Sequence, residues 1–476
     1  MNRWTRTTQG SKAAPSALFK RLNPAEGAAF VHAAAALAPK TKVKGSFPVA
    51  YAGVFTIMLL IFIRPQEVVP AVFGVVPLLK IVAVVTIVSY IGAKHAAGEK
   101  LIRWTLELKM MVLMAGMGVL LTPMAASPGD SVEVLLDTFL TLLIIFVLMT
   151  SLIDTRPRLR QFLSAMVVSQ FLYATAAMKT FMSRTGMEKE RIQGWGTQLQ
   201  NPNDLACVLD LMLPLSLYMV LTRTGWVRVM ALITSLVTAF SITFTFSRSG
   251  FIGLVLALGT VLWKVGRKYR MRIVVITVVA AVVIFAALPG AYRQRLSTIF
   301  NPETDQTNSA QERQQLMKVA AELAVKRSVV GIGMGNFHIY SFHEKVAHNS
   351  FLETSAELGV IGLIAYLVLI FSPFMFLRKI EYEAAPEGPR PDWEVHVMSI
   401  CFQASLMAYL IYGFFGSVQY FPYLYFSVAY AVALRRIFAA EAGRSPEGAT
   451  GLTARGGAAK GPRGVLWKSY DLRDAQ

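Results

Sequence analysis

GIGMGNFHIYSFHEKVAHNSFLETSAELGVIGL, residues 331–363, passes from a glycine-rich polar segment straight into an apolar run. The run begins immediately after His348-Asn349. That sets an ionisable, hydrogen-bonding pair where water would meet lipid. If the segment from Ser350 onward crosses a bilayer, the residues before it form a junction at a membrane face. An active site at that junction is the expectation that the rest of the chain must support.

Composition supports a lipid environment. The chain has 476 residues, 54% hydrophobic and only 16% charged, with a mean hydropathy of +0.49. Soluble globular proteins carry about 25% charged residues. Apolar runs of about 18 residues or more are spanning candidates. They recur here at Phe47–Ile63, Ala71–Ala93, Leu106–Met124, Val132–Ile153, Leu159–Met182, Asp204–Leu221, Val227–Phe246, 250–265, Ile273–Leu288, Ser350–Leu377, Val395–Phe415 and Phe421–Phe438. The expected fold is therefore all-α, a polytopic membrane protein of about twelve transmembrane helices. Residues 47–438 form the membrane domain, with one long outer loop, 289–347, between the ninth and tenth helices; this loop is periplasmic if the chain is bacterial, as the resemblance below implies. Residues 1–46 read as a basic cytoplasmic tail without the apolar core of a cleavable signal. Residues 439–476, rich in Gly, Ala and Arg, read as a disordered cytoplasmic tail.

The net charge of +19 would suggest nucleic acid in a soluble protein. Its placement argues against that. Lys94, Lys100 and Arg103, then Arg156, Arg158 and Arg160, Arg223 and Arg228, Lys264 to Arg272, and Arg378, Lys379 and Arg390 fall between apolar runs on one expected side. This is the positive-inside pattern, and it puts both termini in the cytoplasm. Cys207 and Cys401 lie inside apolar runs and read as small core residues.

The exceptions to the charge rule carry the functional information. Arg64, Arg184, Lys189, Arg191, Arg248, Arg293, Arg295, Arg313, Lys318, Lys326 and Arg327 fall on the outer side. An anionic ligand at the outer leaflet is the simplest reason for them. Arg248 sits in TFSRSGFIGL between two apolar runs, where a guanidinium can grip a phosphate with two parallel hydrogen bonds. The plainer alternative is a snorkelling arginine at a helix end. Arg191 opens RIQGWGTQLQNPND, in which Asn203 reads as a helix N-cap and Asp204 as a carboxylate favoured by the helix start. Gly194 and Gly196 suggest a close backbone approach. Ser309 to Glu312 fits a capping box, opening a helix to about Lys326. Its stripe of Leu316, Val319, Ala320, Leu323 and Ala324 should dock on the bundle and turn Arg313 inward. The 331–335 glycines read as a flexible turn. His348 has an unperturbed pKa near 6.5, suited to proton transfer. Asn349 stands beside it. Glu353 and Glu357, one turn apart, are placed to orient the imidazole or balance the arginines. His338 and His343 sit in what reads as the mobile part of the loop. No metal-ligand spacing appears, so neither a metal nor a cofactor is expected.

Taken in order, RIQGWG…NPND, FSRSG between two spans, a long outer loop with ER…GIGMGNF, and HNSFLETSAELGVIGL resemble the O-antigen ligase and O-antigen polymerase family of bacterial membrane glycosyltransferases. The resemblance covers roughly Arg191 to Leu369, and the HN…AELGVIGL run is its most specific part. It implies a donor glycan on undecaprenyl diphosphate in the outer leaflet of the bacterial inner membrane. It implies Arg191, Arg248 and Arg313 as diphosphate ligands and His348 as the group that assists the acceptor hydroxyl. The implied acceptor is a lipid A-core sugar in a ligase, a second lipid-linked repeat unit in a polymerase, or a protein in relatives that glycosylate protein. Polysaccharide assembly or export proteins are further implied partners, and nucleic acid is not one. The rival reading is a flippase for the same lipid, which would rest on Lys80, Asp137 and Asp210 at membrane depth. A non-catalytic scaffold of an export complex is a second rival.

Overall fold

The computed structural model describes residues 47–65, 78–183, 187–188, 191–194, 199–266 and 309–443. Its helices are α1 (Pro48–Ile63), α2 (Leu78–Ala96), α3 (Leu106–Leu121), α4 (Pro128–Leu152), α5 (Arg156–Ser183) and α6 (Pro202–Thr222). They continue as α7 (Gly225–Phe244), α8 (Arg248–Val265), α9 (Ser309–Lys326), α10 (Ser350–Glu383), α11 (Trp393–Phe415) and α12 (Pro422–Ala442). Among the described residues, 9 helices, α2 to α8 with α10 and α11, are long and apolar enough to cross a membrane. At 1.5 Å per residue, about 20 residues match the 30 Å hydrocarbon core. Every expected span except the ninth falls on a helix over its described residues, with 71–77 of the second outside them. The ninth, Ile273–Leu288, and most of the two tails lie outside the described residues. The final helix continues to Ala442, past the expected start of the tail.

Local sequence sets the helix ends. Asn201, not Asn203, caps α6: its side chain accepts from Asn203 N at 2.9 Å, with Pro202 at the first helical position. Proline lacks the N–H that a first-turn residue leaves unpaired, so the cap falls one residue before it. Ser247 caps α8 by accepting from Gly250 N at 3.2 Å. The α7–α8 connection is thus three residues, Thr245 to Ser247, and Phe246 turns it with φ 51°. Asn349 caps α10 by accepting from Phe351 N and Leu352 N at 3.0 and 2.9 Å. The capping ends of α6, α8 and α10 lie at one end of the bundle.

Helices α6 and α11 form the centre, each buried over 78% of its apolar window, against 17% for α2 at the rim. The stripe on α9 docks as its spacing predicts. Leu316 and Ala320 are fully buried, and Ala320, Val319 and Leu323 pack with Ile332, Phe337, Ala347, Leu352 and Ala356.

The glycine segment is a latch, not a flexible turn. Helix α10 breaks at Gly359 (φ 66°), which frees the carbonyls of Ala356 and Glu357. Ile332 N and Gly333 N donate to them at 2.9 and 3.1 Å, and Val360 N donates to Ser328 O at 2.7 Å. Gly331 has φ 64°, and a Cβ there would run into the Glu357 carbonyl. Asn336 completes the latch, accepting from Ser127 N at 2.7 Å and donating to Ser131 Oγ at 2.8 Å.

Candidate active site

His348 lies between the Gly331–Gly335 latch and the cap of α10, half-buried, with φ 54°. A non-glycine residue in the left-handed region costs about 1 kcal/mol or more and persists only where its surroundings impose it. The imposing contacts lie on either side. Ala347 N donates to Glu353 Oε2 at 2.8 Å, and Asn349 Nδ2 donates to Phe414 O at 3.1 Å. Asn349 is therefore a structural cap and tie. Burial, followed by the nearby Arg313 charge, pushes the His348 pKa down to about 4. The imidazole consequently rests neutral, with a lone pair to offer.

The two glutamates do not orient the imidazole. Glu353 accepts from Ala347 N, from Gln419 Nε2 at 2.8 Å and from Ser417. Glu357 accepts from Tyr420 OH at 2.7 Å and Phe337 N at 3.3 Å. Both carboxylates are buried, and both tie the 337–347 loop segment to the short loop between α11 and α12. Their partners, Ser417, Gln419 and Tyr420, were not singled out in the sequence. The signal available was a short interhelical loop that is polar yet carries no charge.

The arginines gather at the same end. Arg191 lies on the second strand of a short antiparallel pair, Met187–Glu188 with Arg191–Ile192. Its Nε donates to Thr245 O at 2.9 Å and its Nη2 to Asn203 Oδ1 at 2.8 Å. It thereby spans the α7–α8 turn, three residues before Arg248, and the first turn of α6. Asn203 is a clamp for Arg191 where the sequence suggested a cap. Arg248 opens α8, which packs tightly on α6: a Cβ on Gly250 would come 2.6 Å from Ala206 Cβ. Next to Asn203, Asp204 accepts from Tyr412 OH at 2.9 Å. Arg313, in the first half of α9, acts electrostatically on both Asp204 and His348. Hydrogen bonds and close packing thus tie Arg191 and the start of α8 to α6, and the charge of Arg313 acts on both Asp204 and His348. The tight approach at Gly194 is to its own chain, through Gly194 N to Leu199 O at 2.8 Å. Gly196, Arg184, Lys189, Arg293 and Arg295 lie outside the described residues. His338 is held too, with Nδ1 2.9 Å from Gly335 O and Nε2 3.4 Å from Asp130 Oδ2.

Residues 233–367, from the middle of α7 to the middle of α10, match the family model described as O-antigen ligase. This stretch is similar to the O-antigen ligase family. The match takes in the Arg248 turn, Arg313 on α9, the latch and His348, and it bears out the family resemblance read from the sequence. The family points to glycan transfer of the ligase or polymerase type. No curated protein matches the chain.

The residues that would favour a transporter do not converge. Lys80 is exposed on α2. Asp137 is exposed on α4, in a seven-residue π-helical stretch, Val134–Leu140. Asp210 is buried on α6 against Gly253 of α8, and its Oδ1 has no hydrogen-bond partner among the described residues.

Proposed function

We propose that this protein transfers a glycan from an undecaprenyl-diphosphate carrier to an acceptor hydroxyl at the periplasmic face of the inner membrane. In this reading Arg191, Arg248 and Arg313 hold the diphosphate and His348 serves the acceptor. The observation that carries the reading is the gathering of Arg191, the Arg248 turn, Arg313 and the neutral imidazole of His348 at a single bundle end. The acceptor oxygen bonds to the anomeric carbon as the carbon–oxygen bond to the diphosphate breaks. The bonding electron pair leaves with the diphosphate, and the hydroxyl proton passes to His348. Negative charge grows on the leaving group, so cations fixed around it stabilise the transition state more than the ground state. Attack opposite the leaving group inverts the anomeric centre. The sugar–diphosphate bond supplies the energy, so no nucleotide, metal or cofactor is required.

The convergence of three helix N-termini suits the same ligand, because each presents the positive end of its dipole. The acceptor is a lipid A-core sugar if the protein acts as a ligase and a lipid-linked repeat unit if it acts as a polymerase. The test is transfer by the purified full-length protein from lipid-linked donor to acceptor, without other proteins. His348→Ala should reduce turnover by about 10²- to 10⁴-fold, the usual contribution of a positioned acid or base. A purified wild-type protein that moves lipid-linked glycan between leaflets yet joins no glycan would instead indicate a flippase.

A further inference from the structure

The end of the bundle away from His348 contains a cleft of about 550 Å³ between the last turn of α8, the C-terminal part of α10 and α11. Its floor holds a polar triad. Lys264 Nζ donates to Glu381 Oε2 at 2.6 Å and to Gln403 Oε1 at 2.8 Å, and Gln403 Nε2 donates to Glu381 Oε2 at 2.9 Å. The triad's charges cancel. Arg378 stands three residues before Glu381 on the same wall of the cleft. It is exposed and has no ion-pair or hydrogen-bond partner among the described residues. Among the described residues, Arg378 therefore presents a positive charge on the wall of the cleft above a polar floor.

The surroundings say what kind of anion fits. Trp263 and Tyr382 line the cleft and remain 48% and 68% exposed, the amphipathic rings found at headgroup level in membrane proteins. Phe371 and Met375, 46% and 64% exposed, run from Arg378 back along α10 at helical spacing. A soluble anion would use the charge and leave that apolar stripe without a role. A molecule with a phosphate and two hydrocarbon chains uses both. We propose that this cleft binds an anionic phospholipid, with its phosphate on Arg378, its glycerol region between Trp263 and Tyr382, and its acyl chains along Phe371 and Met375.

The test is native mass spectrometry of the purified full-length protein in neutral detergent. Phosphatidylglycerol and phosphatidylcholine of identical chains are compared, with inorganic phosphate as the soluble competitor. The expected result is one phosphatidylglycerol site with about tenfold preference over phosphatidylcholine, the scale of one charge-assisted contact. Arg378→Gln should remove that preference. Lys379→Gln should keep it, because Lys379 faces Glu383 at 4.0 Å and does not line the cleft. The proposal is overturned if phosphatidylglycerol shows no preference, if the preference survives Arg378→Gln, or if Lys379→Gln abolishes it equally. Displacement of the lipid by an equimolar amount of inorganic phosphate would assign the cleft to a free anion instead. Arg378 is exposed, so the variant should melt with the wild type, which separates lost binding from lost folding.

Discussion

The two ends of the helix bundle handle charge in opposite ways. At the end holding Glu394, arginines are tied to carboxylates between helices. Arg156 grips Glu441 at 2.6–2.9 Å and also meets Asp392. Glu394 receives Arg160, Arg223 and Tyr218, and Arg435 meets the fully buried Glu107 at 3.1 Å. At the His348 end the buried carboxylates Glu353, Glu357 and Asp204 are satisfied by hydroxyls, an amide and backbone N–H groups, and two of Arg191's bonds go to uncharged oxygens. Charges at the first end neutralise one another across helix joints. At the second, the buried carboxylates and two bonds of Arg191 are matched by neutral groups, and the ion pair Lys345–Glu312 lies in the loop and helix beside His348. The first arrangement serves assembly, and the second suits a site for an anionic ligand.

The largest expected effect breaks or upholds that division. Arg248→Gln should lower transfer by about 10²- to 10³-fold, the scale of removing one preorganised charge contact from a transition state. Its melting temperature should stay near the wild-type value. Comparable transfer by Arg248→Gln and wild type, assayed with purified lipid-linked donor, would remove the functional half of the contrast. Glu394→Gln should do the reverse. It strips the carboxylate that Arg160 and Arg223 share, at a partly exposed position, so the loss should be about 1–2 kcal/mol, read as a fall of a few degrees in melting temperature. Transfer per folded molecule should be unchanged. If the loss appears in turnover while the melting curve stays put, the two ends are not separable.

Much of this was legible in the chain. The apolar runs located the helices because length and hydropathy are local properties. The α9 stripe located its docking face because helical periodicity is local too. The position of His348 before α10 followed from the abrupt polarity change after Asn349. What stayed hidden depended on chain segments far apart. Nothing near Glu353 shows that Ser417 and Gln419 will satisfy it, and nothing near Asp204 points to Tyr412. Arg156, Arg160 and Arg223 read as markers of topology, yet each also bridges helices. The glycines at 331–335 read as freedom to move, whereas Gly331 is needed because the break at Gly359 brings the Glu357 carbonyl against it. Their purpose becomes visible only with both segments in place.

The smallest expected effect concerns the charge on His348. Burial and Arg313 both disfavour the imidazolium, placing its pKa at about 4 in the free protein. A base must be unprotonated, so kcat/KM, which reports the free enzyme, should hold as pH falls from 7 and drop only near pH 4. Once a diphosphate donor is bound, its negative charge offsets Arg313 and favours the protonated imidazole. The acid limb of kcat, which reports the complex, should therefore lie above that of kcat/KM. Arg313→Gln removes a cation and should raise the free-protein limb, though not fully to 6.5, because burial is the larger cause. Carboxylates could produce a limb at similar pH, so the imidazole itself should be followed by NMR of ¹³C-histidine protein, with the His348 signal identified by its loss in His348→Gln. A signal titrating near 6.5 in wild-type protein, unmoved by Arg313→Gln, would mean that Arg313 does not act on His348. The link between the arginine cluster and the imidazole would then be broken, even with each residue still at the same end of the bundle.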